Sequence, residues 1–167
     1  MPLSLALLGL SLLAQTQAPA TDITLPPATA QVDFSAQGKG MQIYTCAPQG
    51  IAFEWILKAP DATLTDANGQ QIGTHSAGPT WTATDGSSIT GKVLHKRVSP
   101  DPLSIYWLLL AATPAPGHPG TLANVAFVRR SETIGGVAPA DGCDAQHPGA
   151  EVRIPYTATY TFYSAQK

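Results

Sequence analysis

The 167-residue chain reads as one all-β domain, an antiparallel β-sandwich or partly closed β-barrel of about eight short strands with one disulfide. Three observations predict this. Apolar residues recur with period two in several short runs. No stretch carries the 3.6-residue period of a helix. Turn formers are dense, with 15 glycines and 15 prolines. The length suits one core and is too short for two substantial ones.

Taken in order, residues 1–20 read as a signal peptide. Their apolar core is too short to span a bilayer, and small residues at Ala14, Ala18 and Ala20 offer cleavage sites, although no Lys or Arg precedes the run. Residues 21–30 form a proline-containing linker, and the domain occupies residues 31–167. The first strand is expected at residues 40–46 and the second at residues 51–57, where Ile51, Phe53, Trp55 and Leu57 share what should be a well-buried face. Asp66-Ala67-Asn68-Gly69 marks a hairpin turn. Residues 75–88 carry Gly-Pro and Asp-Gly turns and read as a loop rather than a ladder strand. Residues 89–95 alternate again, and residues 105–112, apolar throughout, read as a strand covered on both faces. After a Pro- and Gly-rich loop come a strand at 122–130 and a glycine-rich loop at 133–149. Period-two alternation from Val152 to Tyr163 is the clearest strand signal in the chain.

Export implies an oxidising compartment, and Cys46 and Cys143 are an exact pair, so a disulfide between them is expected. Neither has the closely spaced partners of a metal site, and a catalytic thiol would leave the other cysteine unexplained. With 12% charged residues and a net charge of -2, the chain has no basic field for nucleic acid. No later apolar run is long enough to cross a membrane as a helix. Nucleotide-binding glycine motifs, phosphate loops, nucleophile elbows and zinc-protease motifs are absent, so no cofactor is expected. Asp61 and Asp66 lie in turn contexts, which argues against a glycosidase pair.

Two constellations carry chemistry. The first, residues 75–87, brings His75, Trp81 and Asp85 together with several hydroxyls. Trp81 suits stacking on a ligand, with His75 and Asp85 as polar contacts; the plainer alternative is a core Trp and an Asp that caps its own turn. The second ends the strand at 122–130 with Arg129 and Arg130, only one of which can face a given pocket. Parity does not choose between them, since Arg130 shares a face with Leu122, Ala126 and Val128, and Arg129 with Val125 and Phe127. The alternative to an anion site is one solvated arginine and one paired with Glu132 or Asp141. Of the histidines, His118 and His147 sit in loops, and His95, by parity with Ile89 and Val93, is expected to be partly buried. No metal site is expected, because no His-x-His or His/Cys cluster occurs.

Several runs, in order, also resemble a known family: Gly78-Pro79-Thr80-Trp81, Asp85-Gly86-Ser87, Trp107-Leu108-Leu109, Arg130 through Gly135-Gly136 and Pro139 to Cys143, and Pro155-Tyr156-Thr157-Ala158 through Tyr160 to Phe162-Tyr163. The chain is similar from about Met41 to Tyr163 to secreted domains of unknown function found in bacteria and filamentous fungi, some of which carry the label malate dehydrogenase. The resemblance implies no catalytic residues. The label conflicts with the sequence, because a malate dehydrogenase needs a nucleotide-binding βαβ unit. Ser76 departs from the family pattern, which has an aromatic residue after the histidine.

The expectation is therefore a secreted, periplasmic or envelope-associated binding module without catalytic activity, contacting its partner through residues 75–87. His75, Trp81, Asp85 and one of Arg129 and Arg130 would line one cleft for a small anionic or hydroxylated ligand or a surface polysaccharide. Two alternatives stand beside it: an enzyme of unrecognised type using His75 and Asp85 as acid and base, and a structural envelope protein. Oligomeric state has no signature in the sequence.

Overall fold

Small residues carry the inward face of the first strand as far as large ones do, and this makes it much longer than its apolar residues suggest. Ala36 and Gly38 precede Gln42, Tyr44 and Cys46 on that face, and β1 runs Gln31–Gln49. The computed structural model describes residues 22–166, and the remaining strands are β2 (Ala52–Thr65), β3 (Gln71–Ser76), β4 (Thr80–Ala83), β5 (Ser88–Arg97), β6 (Trp107–Pro114), β7 (Val125–Gly135) and β8 (Glu151–Ser164). Each pairs antiparallel with the next. β8 pairs back onto β1 from Gln31↔Ser164 to Thr45↔Glu151, which closes an eight-stranded barrel. Closure leaves no unpaired edge. The expected residues 1–20 leader lies outside the described residues.

The hairpin at Asp66-Ala67-Asn68-Gly69 forms as read. Gly69 takes φ 81°, and the Asp66 carboxylate accepts from the backbone N–H groups of Asn68 and Gln70. Residues 75–88, expected as a loop, are half ladder, with 75–76, 80–83 and 88 in strands. His75 is the penultimate residue of β3 and stands opposite Trp81 in β4, while residues 77–79 and 84–87 turn. A Gly-Pro pair sits at the corner of a tight hairpin here, so it bounds strands rather than excluding them.

The expected buried face of residues 51–57 is also corrected. Ile51 and Leu57 are exposed and Phe53 and Trp55 only half-buried, while Pro60, Ala62 and Leu64 form the buried half of β2. The early part of the strand projects beyond the packed core, where the loop after β7 partly covers it: Trp55 Nε1 donates to the Asp141 carbonyl at 3.0 Å. Asp61, expected in a turn, lies in β2 and pairs with Arg153 of β8.

Irregular register explains the remaining departures. In β5 the pairing shifts between Val93 and His95, so Leu94 is an extra residue and His95 is exposed, not half-buried. In β7 a shift between Val125 and Phe127 turns Val128 and Arg130 inward and Arg129 outward. β6 is covered on both faces, with Leu110 in the core and Leu109 beneath the outer wall, both 2% exposed. Arg129 stands opposite Leu109 and reaches the segment before β1, donating to Asp22 at 2.9 Å. Residues 22–24, read as linker, are thus docked on the barrel, and Thr24 is fully buried.

The core inside the ring is aromatic. Phe34 stacks on Phe162, and Trp81 packs edge-on against Tyr160 and Phe162. Two glycines make room for these rings: a Cβ at Gly38 would stand 2.5 Å from Tyr160, and one at Gly91 would stand 2.8 Å from Trp81. The expected disulfide joins Cys46 to Cys143 and ties the loop between β7 and β8 to β1.

Candidate functional site

In a barrel of consecutive antiparallel strands, odd-numbered strands end and even-numbered strands begin at the same mouth. His75 near the end of β3 and Trp81 near the start of β4 therefore lie towards one mouth, the one at which the disulfide ties the β7–β8 loop to β1, and Arg130, midway along β7, joins them on one cavity. They line a cavity of about 380 Å³, with Gln42, Leu110 and Tyr160 also on its walls. Such a volume suits a small organic ligand.

Burial fixes the chemistry of the imidazole. His75 is 3% exposed, stacked on Trp81 with ring centroids 4.4 Å apart, and its Nδ1 lies 2.9 Å from the Thr80 carbonyl. A carbonyl only accepts, so Nδ1 carries the proton and Nε2 presents a lone pair. Burial drives the His75 pKa down to about 4; the Thr80 carbonyl opposes this and the Arg130 guanidinium reinforces it. The ring is neutral near pH 7.

Arg130 is the cation of this site. Its Nε and Nη2 both donate to the Tyr106 carbonyl, at 3.1 and 2.8 Å, and no carboxylate among the described residues pairs with it. Lys58, also on the cavity wall, is paired with Glu151. The tyrosine hydroxyls stay protonated, because burial pushes Tyr44, Tyr156 and Tyr160 upward. Tyr156 and Tyr160 share a hydrogen bond of 3.0 Å, and Tyr44 donates to the Gly136 carbonyl at 2.6 Å. Gln42 is 1% exposed, and neither its amide nitrogen nor its amide oxygen has a protein partner; Trp81 Nε1 has none either. Buried polar atoms are rarely left so.

Two of the expected site residues lie elsewhere. Asp85 belongs to the β4–β5 turn, at the opposite mouth, where it accepts from the backbone and hydroxyl of both Ser87 and Thr121. These four bonds, led by the Ser87 hydroxyl, hold its carboxyl well below the usual range. Its work is to pin that turn to the segment before β7. Arg129 faces outward, over the Trp107 ring at 5.2 Å, and pairs with Asp22 rather than with Glu132 or Asp141. His75 and Asp85 are therefore not assembled as an acid–base pair, and no carboxylate lines the His75 cavity. Among the described residues no group of three His, Cys, Asp or Glu side chains is placed to hold a metal ion.

Gln42 and Tyr160 are the site residues that sequence reasoning passed over. The signal for Gln42 was available, since it is a polar residue at inward parity between Gly38 and Tyr44. Tyr160 was read only as part of a strand.

Neither the curated proteins nor the solved structures give a match to the chain. A family model described as "Protein of unknown function (DUF3455)" matches residues 27–164. That span runs from just before β1 to the last residue of β8 and holds both cysteines and every cavity residue described above. The chain is thus a member of the DUF3455 family of proteins of unknown function.

Proposed function

We propose that this protein is an exported, non-catalytic binding module whose disulfide-bearing barrel mouth takes a small anionic or hydroxylated ligand. The observation that carries the reading is Arg130: a guanidinium on the inner wall with no carboxylate partner, beside a buried and unpartnered Gln42 amide. Arg130 is half-buried, and a guanidinium in that setting without a carboxylate is a donor that an anion would complete through charge-assisted hydrogen bonds. Export is supported by the apolar leader and by the disulfide. Trp81, at 1% exposure, offers no open face on which a polysaccharide would stack, which favours a small ligand over a polymer. A neutral His75 without a carboxylate partner favours binding over acid–base catalysis.

Calorimetric titration with a panel of small carboxylates and polyols tests this. The expected result is saturable binding by at least one carboxylate, with affinity reduced about tenfold or more in Arg130→Gln, as for loss of one charge-assisted hydrogen bond of roughly 1.5–3 kcal/mol. Arg129→Gln, on the outer wall, should bind as the parent does. Absence of saturable heat across the panel would overturn the reading.

A further inference from the structure

We propose that the ligand is a single-chain amphiphile with a monocarboxylate head, its head on Arg130 and its chain leaving through the mouth; this rests on the anion-binding role just given to Arg130. The polarity of the cavity is layered. Gln42, His75 and Tyr160 are at most 3% exposed, so the polar groups lie deep. Around the entrance Leu57, 51% exposed, and Val93, 47% exposed, stand beside the Glu151-paired Lys58, and Arg130 is half-buried between this level and the deep one. At the same end of the barrel the β5–β6 loop adds Val98, Leu103 and Tyr106, all exposed, Leu103 at 77%.

Exposed aliphatic side chains gathered at one mouth are what a hydrocarbon chain would cover. A head-in, tail-out arrangement satisfies both layers; a compact polar ligand satisfies only the deep one. The charge points to a monoanion. Two of the three Arg130 nitrogens are committed to the Tyr106 carbonyl, His75 is neutral, and Lys58 is held by Glu151, so a second uncompensated cation is lacking on this wall. A phosphate dianion would be left half-neutralised.

The test is calorimetric titration of the full barrel with butyrate, hexanoate, octanoate and decanoate as free monomers, with 1-octanol and octyltrimethylammonium as matched neutral and cationic probes. Affinity is expected to rise about fourfold per added methylene until the chain clears the rim, and then to level off. Octanoate should bind at least tenfold tighter than 1-octanol, and octyltrimethylammonium should not bind. Arg130→Gln should erase the preference for acid over alcohol, and Arg130→Lys, which keeps the charge, should retain part of it. The double variant Leu57→Ser, Val93→Ser, at two exposed side chains of the entrance, should flatten the dependence on chain length. Equal affinity for butyrate and octanoate would overturn the amphiphile while leaving an anion site at Arg130. Equal affinity for octanoate and 1-octanol would overturn the role of Arg130, and absence of binding by every probe would overturn both.

Discussion

His75 shows how one buried side chain ties stability to pH. Its pKa in the folded protein is about 4, against an ordinary value of 6.5, because burial disfavours the charged ring. Between those values the unfolded chain binds the extra proton and the folded chain does not, so acidification favours unfolding. The stability associated with the neutral ring is fully present above pH 6.5 and is lost as pH falls towards 4, by on the order of 3 kcal/mol. Denaturant unfolding at a series of pH values should show this slope, and His75→Phe, which keeps a ring to stack on Trp81 but has no titrating nitrogen, should flatten it. Asp85, Asp101 and Asp144, held by hydrogen bonds below their ordinary value of 3.8, act mainly below this window, and Glu151, held by Lys58 below its ordinary 4.5, adds to the slope at its lower edge in parent and His75→Phe alike.

At the scale of elements, the segment before β1 behaves as a strap. Asp22 pairs with Arg129 and lies 3.2 Å from Arg97, and both guanidiniums stand over the Trp107 ring. Burial of Asp22 would raise its pKa, yet the bonds from Thr24, Arg129 and Arg97 outweigh this and hold it at about 2. The contribution of the strap is accordingly present above pH 4 and lost as pH falls through about 2. Asp22→Ala should lower stability by about 1–2 kcal/mol, because it strips partners from two partly buried guanidiniums, and limited proteolysis should cut earlier near the N-terminal side of β1. Unchanged proteolysis would mean that the strap is held by Thr24 and its packing alone. The bulges belong to this scale too. One extra residue in β5 exposes His95, and one in β7 aims Arg130, rather than Arg129, into the barrel. A bulge reverses the parity of everything beyond it.

At the scale of the whole molecule, closure joins the first strand to the last, and the disulfide spans 97 residues between Cys46 and Cys143. A loop of that length corresponds to about 4–5 kcal/mol in the chain-entropy account. Reduction, or Cys46→Ala with Cys143→Ala, should lower stability by up to that amount. It should also loosen the loop between β7 and β8, whose Gly149 N–H and Ala150 carbonyl bond to the backbone of Cys46. That loop stands at the same end of the barrel as His75 and Trp81, so ligand affinity should fall with the bond, whereas the opposite mouth, pinned by Asp85, should keep its hydrogen-exchange protection. Equal loss of protection at both ends would show that the bond supports the barrel globally.

The sequence by itself determined the all-β class, the approximate strand number, the Asp66–Gly69 hairpin, the strand from Val152 to Tyr163 and the pairing of the cysteines. Each rests on local periodicity, turn chemistry or a count of two. It also singled out His75, Trp81 and the Arg129-Arg130 pair, of which His75, Trp81 and Arg130 line one cavity. Only the tertiary structure decided that the sheet closes into a barrel, because closure depends on β1, whose inward face is partly alanine and glycine and gives no apolar signal. Tertiary structure likewise sent Asp85 to the far mouth and Arg129 to the outer wall. Which mouth a side chain reaches follows from the direction of its strand, and which face it takes follows from bulges, and neither is encoded in the spacing of a few neighbouring residues.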